Sequence, residues 1–213
     1  MVNVSQLRQP AWSAQGLVLR SVGEDPVNLR GLRFPFAVSV QVLAGTCNIA
    51  VPGQMLARSS SGDRTIEILK VSDLTLYRQA EVSFQAVACN ADRGPSPTAR
   101  NGYASSQKPV TSSLALSVFL APHRRWCRAM ASAALGFHRS SELSAALMKE
   151  GESFMDVVTT QRLMRFLFDG CCSTVTACAL YGFPDRFSLN IELEDRFGVM
   201  PRMVGKITSR QPA

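Results

Sequence analysis

Residues 174–201, TVTACALYGFPDRFSLNIELEDRFGVMP, decide how the rest of the chain is read. The run 174–181 reads as a short helix, Gly182 as a tight turn, and 185–197 as a second helix closed by Gly198-Val199-x-Pro201. Gly182 and Gly198 are read as structural, each ending or turning a helix where a side chain would clash. Two short helices about a glycine turn make a helix-turn-helix, the unit that lays one helix in a DNA major groove.

Upstream of this stretch the apolar periodicity stays helical. Further helices are expected over 114–120, 124–135, 140–149 and 154–168. In the last of these Phe154, Val157, Val158, Leu163, Phe166 and Leu167 form one broad apolar face. Ser140 or Ser141 is placed to cap the third helix and Ser153 the fourth. Pro201 suits the first turn of a final helix over 201–207. Six or seven short helices fit a pair of helix-turn-helix units joined by a long helix.

Residues 92–113, DRGPSPTARNGYASSQKPVTSS, lack apolar periodicity and are rich in Gly, Pro and Ser, which describes a flexible linker. Before it lie short β-like runs at 36–43, 46–51, 65–69, 74–77 and 82–89, with turns at Gly45 and Pro52-Gly53. Such punctuation argues for a small sandwich or barrel. The expected fold class is therefore α+β in two domains: a β-rich domain over 1–91, a linker over 92–113, and an all-α domain over 114–213 with two helix-turn-helix units.

The 213 residues are 46% hydrophobic and 18% charged, an ordinary globular balance. No window approaches eighteen apolar residues, and the N-terminus has no apolar signal core, so a cytoplasmic protein without a membrane partner is expected. Cys47, Cys89, Cys127, Cys171, Cys172 and Cys178 form no CxxC pair, and the histidines are His123 and His138 alone. Reduced, buried thiols are expected, with no metal site and no cofactor. The net charge of +7 suits a polyanion, but it is spread as +2, +2 and +3 over the three segments. There is no GxSxG, P-loop, HExxH or GxGxxG, so no catalytic residue and no enzyme activity are expected.

The C-terminal stretch resembles the second helix-turn-helix of the AraC/XylS transcription regulators. Gly182, Phe183, Asp185, Leu189, Leu193, Phe197, Gly198, Val199 and Pro201 fall in that family's register without a gap. Leu143, Leu147, Glu150, Gly151 and Phe154, followed by Arg162-Leu163, resemble the first unit and the linking helix. The pattern Leu43-x-Gly45…Ile49-x-Val51-x-Gly53…Gly62-Asp63 resembles the start of the cupin-like sensor domain of many relatives, here in reduced form. Arg125-Trp126 and the run KVSDLTLYR (70–78) resemble the virulence and type III secretion regulators within the family.

The resemblance implies a regulator, more often an activator, that binds double-stranded promoter DNA. RNA polymerase is then a possible partner, and the β domain would form a homodimer, sense a small molecule or bind a partner protein. By register the implied base-facing residues are Arg186, Phe187, Ser188 and Asn190, with Ser141 and Ser144 in the first unit. Arg139, Arg162, Arg165, Arg196, Arg202 and Lys206 are candidate phosphate contacts. Arg162 has a structural alternative, pairing with a carboxylate inside the domain, and Trp126 reads as core. Some positions depart from the family. Ser141, Ser144 and Ala145 are too short for bidentate base contacts. Ile191 replaces a usual arginine, and Glu192, Glu194 and Asp195 add charge that phosphates repel. These departures motivate an alternative, a protein-interaction regulator on a degenerate scaffold that antagonises or partners an intact relative.

Overall fold

Two long strands carry the β part. β3 (Val38–Ala50) and β6 (Ser72–Ala86) pair antiparallel along almost their full length. In this computed structural model the described residues are 17–22, 24–50, 57–60, 66–68, 72–86, 109–169, 175–200 and 203–205. The buried set on β3 runs Val38, Val40, Val42 and then Cys47, Ile49, so the inward parity switches across Gly45. The β3–β6 register shifts at the same place, between Val42 and Thr46. Gly45 has φ +72°, and a Cβ there would lie 2.9 Å from the Ala80 Cα. Opposite, Gln79 also takes a positive φ of 53°. The glycine therefore makes a bulge that curls the ribbon, where the sequence suggested a turn between two strands. The expected runs 74–77 and 82–89 are likewise part of one strand, β6, as far as Ala86, where the described residues end.

The remaining strands line these two. β1 (Leu17–Ser21) and β2 (Val27–Leu32) pair with opposite halves of β6, while β4 (Ala57–Ser60) and β5 (Ile66–Ile68) pair with opposite halves of β3. β1 and β2 were not expected from the sequence. In β2 the alternation of buried Val27 and Leu29 with exposed Asn28 and Arg30 breaks at Gly31 (φ +61°), which shortens the pattern. The Pro52-Gly53 turn, residues 92–108 of the linker, and Cys89, Cys171 and Cys172 lie outside the described residues.

The helices are α1 (Val110–Leu120), α2 (Arg128–Ala134), α3 (Ser140–Lys149), α4 (Phe154–Asp169), α5 (Val175–Leu180) and α6 (Arg186–Phe197). α1 starts at Val110, inside the span expected to be linker. The reason is a distant cap: the Glu150 carboxylate accepts from the Val110 and Thr111 amides at 2.9 and 2.8 Å. No local pattern signals such a cap. Ser153 does cap α4, accepting from the Asp156 amide at 3.2 Å while its hydroxyl donates to the Asp156 carboxylate at 2.7 Å.

Two apolar clusters meet along α4. Its first half, with Phe154, Val157 and Val158, packs with Leu114, Val118, Ala131, Leu143 and Leu147 of α1–α3. Its second half, Leu163 to Phe168, belongs to the core of the sheet. That core also holds Cys178, Tyr181, Phe183, Leu189, Leu193, Phe197 and Val199 from the second helix pair. Phe84 and Phe168 meet edge to face at 5.1 Å, and Phe34 touches both. The second helix pair and the sheet thus share one core. After α6 the chain returns to the sheet as β7 (Val204–Gly205), pairing with the edge of β1, and the Val22 amide donates to the Met203 carbonyl at 2.9 Å. Of the final helix expected over 201–207, Met203 is a 3-10 turn and Val204–Gly205 a strand, because the unpaired edge of β1 offers hydrogen bonds. Among the described cysteines, Cys47 and Cys178 are buried, and burial pushes the Cys47 thiol to about 11. Cys127 is exposed, against expectation. Among the described residues no helix is long and apolar enough to cross a membrane.

Candidate nucleic-acid interface

The pairs α2–α3 and α5–α6 repeat each other residue for residue. The pattern A-x-A-x-x-G-F-x-x-x-x-x-L-x-x-x-L runs from Ala131 to Leu147 and again from Ala177 to Leu193. Gly136 and Gly182 have φ +81° and +82°. The Phe137 amide donates to the Ser132 carbonyl and the Phe183 amide to the Cys178 carbonyl, both at 2.9 Å. These are the same left-handed C-terminal cap. Leu143 and Leu147 in α3, and Leu189 and Leu193 in α6, are buried at matching places.

The two second helices start differently. α6 is capped by Asp185, whose carboxylate accepts from the Ser188 amide at 2.7 Å. α3 has Arg139 at its cap position with no side-chain bond, so neither Ser140 nor Ser141 caps it. The Ser188 amide, with the Ser188 hydroxyl and the Phe187 amide, holds the Asp185 carboxyl below the usual carboxylate range. A depressed carboxyl contributes stability above its unfolded value and loses it as pH falls through the folded value. Asp185→Asn keeps an acceptor without the charge. Its thermal stability should therefore fall less steeply than the wild type's below the ordinary carboxylate range, and matching acid limbs would exclude this role.

The implied base-facing residues do not all point outward. On α6, Arg186 is exposed and Phe187 is 74% exposed. Ser188 and Asn190 are half-buried, and the Asn190 Oδ1 is buried without a hydrogen-bond partner. The outward stripe continues from Phe187 to Ile191, 42% exposed, and then to Glu194 and Asp195 at helical spacing. On α3, Ser141 is exposed, while the Ser144 hydroxyl donates back to the Ser140 carbonyl at 3.1 Å. Arg139 is exposed. Arg202 and Lys206 lie outside the described residues.

Arg196, a candidate phosphate contact, is engaged internally. It donates to Glu192 at 2.9 Å, to Thr160 at 3.0 Å and to Asp156 at 3.2 Å. Ser153 and then Arg196 hold the Asp156 carboxyl below its usual range. Beside this network Arg33 pairs with Glu152, and Gln161 donates to the Arg33 carbonyl at 2.9 Å. The groove between, about 300 Å³, is lined by Gly31, Arg33, Glu152, Asp156, Thr160, Arg196 and Phe197. The C-terminal end of α6 is therefore pinned to α4 and packed on β2, and the Arg196 charge is neutralised there. Arg165 is spent in the same way, on Asp169 at 2.8 Å.

Arg162 joins the two helix pairs. Its guanidinium donates to the carbonyls of Pro122 at 3.2 Å and Arg124 at 3.0 Å, both in the turn between α1 and α2. It also fills the space beside Gly182, where a Cβ would lie 2.4 Å from Nη1. Its partners are carbonyls and not the carboxylate that the sequence suggested. His123 in the same turn sits 3.3 Å from the Leu180 carbonyl and stacks edge-on against Tyr181 at 5.0 Å. Arg124 lies over the Trp126 ring at 5.8 Å, and the indole donates to the Ala121 carbonyl at 2.9 Å. Trp126 packs against the α1–α3 cluster, consistent with a core role.

This arrangement of sheet and helix pairs has solved counterparts. ToxT from Vibrio cholerae O395, bound to (E)-4-(8-methylnaphthalen-1-yl)but-3-enoic acid, matches with a TM-score of 0.57 at 12% identity, covering 88% of this chain and 96% of that one. The P21 form of ToxT from Vibrio cholerae gives 0.55 at 11% identity over 87% and 95%. An unsaturated fatty acid-bound ToxT from strain SCE256 gives 0.52 at 9% identity over 87% and 92%. The chain has the ToxT fold over most of its length. No protein-family model matches the chain, and no curated protein matches it.

Proposed function

We propose that this chain is a DNA-binding transcription regulator of the AraC/XylS type, an activator that reads promoter DNA through α3 and α6. The observation that carries this reading is the repeat. Two helix pairs with the same glycine cap share one linking helix, and each has an exposed arginine near the start of its second helix, Arg139 at the cap position of α3 and Arg186 as the first residue of α6. Helix-turn-helix proteins contact bases with the N-terminal residues of that helix, and arginine suits guanine there. The curled sheet is the regulatory part, taking a homodimer contact, a small molecule or a partner protein. RNA polymerase contact, a cytoplasmic site and a role in virulence belong to the same reading. In this division residues 1–91 are the sensor, and the DNA-binding part starts with α1 at Val110.

Selection of duplexes from a random-sequence pool by the purified chain tests the proposal. Two half-sites about one helical turn apart, roughly 10 base pairs, should be enriched. A pool that stays random, with no retention at low salt, would overturn it. One observation favours a second reading. The outward stripe of α6 is Phe187, Ile191, Glu194 and Asp195, apolar and acidic, which suits a protein partner better than a phosphate-lined groove. Failure of selection together with binding to an intact relative would support that alternative.

A further inference from the structure

We infer that the turn between α1 and α2, residues 121–128, is a clamp for the phosphate backbone of duplex DNA, using Arg124, Arg125 and Arg128. The inference rests on the DNA-binding reading and locates a part of that surface the motif does not contain. Its first support is charge. No Asp or Glu occurs between Asp92 and Glu142, while seven Lys and Arg do. That number equals the net charge of the whole chain, +7, so the other residues balance to zero. The excess positive charge is therefore confined to one segment, and four of its seven cations, Arg124, Arg125, Arg128 and Arg139, are described and exposed.

The second support is availability. Arg33, Arg165 and Arg196 are each held by a carboxylate. Among the described residues no carboxylate pairs with Arg124, Arg125 or Arg128, and Arg124 rests on the Trp126 ring. The third is rigidity. Arg162 and His123 fasten this turn to the linking helix and to the second helix pair. The α1–α2 turn also leads directly into the first pair, since Arg128 begins α2. A cationic turn fixed to both groove-reading units is placed to hold the backbone between them. Phosphate contacts of this kind set register without reading sequence.

The test is the salt dependence of binding to a mixed-sequence duplex, measured by fluorescence anisotropy on the full chain. Each phosphate contact contributes about 0.9 to the slope of log K against log salt. R125A/R128A should lower the slope by about 2 while circular dichroism stays that of the wild type. R20A/R30A removes the same charge from the sheet and should leave the slope unchanged. An unchanged slope in R125A/R128A, with normal wild-type binding, would overturn the clamp but not the DNA-binding reading. An equal fall in both variants would mean that overall charge sets the slope, and would also overturn the clamp. No salt-dependent binding by the wild type would overturn both.

Discussion

A Phe197→Ala variant loses about 3–5 kcal/mol of stability, the usual cost of emptying a large buried aromatic site. Phe197 is 1% exposed and ends α6, and it lies in the core that the second helix pair shares with the sheet. The distribution of the damage matters as much as its size. In a shared core the sheet and α6 open together, as one cooperative unit. Amide exchange should therefore speed up in β2 and β6 as well as in α5 and α6. Faster exchange confined to α5 and α6 would contradict the shared core. The close approach of Gly198, where a Cβ would lie 3.3 Å from the Asn28 carbonyl oxygen, agrees with a direct packing of α6 on β2.

Gly182→Ala costs about 3 kcal/mol, against about 1 kcal/mol for Gly136→Ala. Both glycines hold a positive φ that an L side chain adopts only with strain, of order 1 kcal/mol. At Gly136 nothing lies within 4 Å of the added Cβ, so strain is the whole cost. At Gly182 the Cβ would meet the Arg162 guanidinium at 2.4 Å, and overpacking adds roughly 1–3 kcal/mol. Arg162 cannot swing away without releasing the carbonyls of Pro122 and Arg124. Chemical denaturation of both variants checks the difference. Adding Arg162→Ala to Gly182→Ala should recover part of the loss, a non-additivity expected of contacting residues. Equal losses at the two glycines would remove Arg162 from its place beside the turn.

Much of the helical half was legible because its signals are local. Gly182, Gly198 and the leucine spacing of 185–197 set α6 to within a residue, and Ser153 marked the start of α4. Elements fixed by distant groups were not legible. Glu150 extends α1 upstream by capping it from across the chain, and β1 recruits β7 after the last helix. Gly45 reads as a turn in sequence, since nothing local says that Ala80 will press against it. The site was legible only in part for the same reason. Register puts Arg196 on the α6 face, but Asp156 and Thr160 of the linking helix decide which way its side chain turns. The α1–α2 turn does not stand out in the charge of whole segments, because its cations are diluted by the acids that follow Glu142. The acid-free run between Asp92 and Glu142 crosses the boundary between linker and helical part. The internal repeat about Gly136 and Gly182 is also legible in the sequence.

The central claim is that α6 reads bases through Arg186. The most direct measurement compares wild type and Arg186→Ala on an enriched duplex and on a mixed-sequence duplex at one salt concentration. Loss of a bidentate arginine–guanine contact costs about 1–3 kcal/mol, so affinity for the enriched duplex should fall roughly 5- to 150-fold, with discrimination relaxed at one base pair. Affinity for the mixed-sequence duplex should fall much less. Equal affinity of both proteins for the enriched duplex would contradict the account and leave α6 with its apolar and acidic stripe as a surface for another protein.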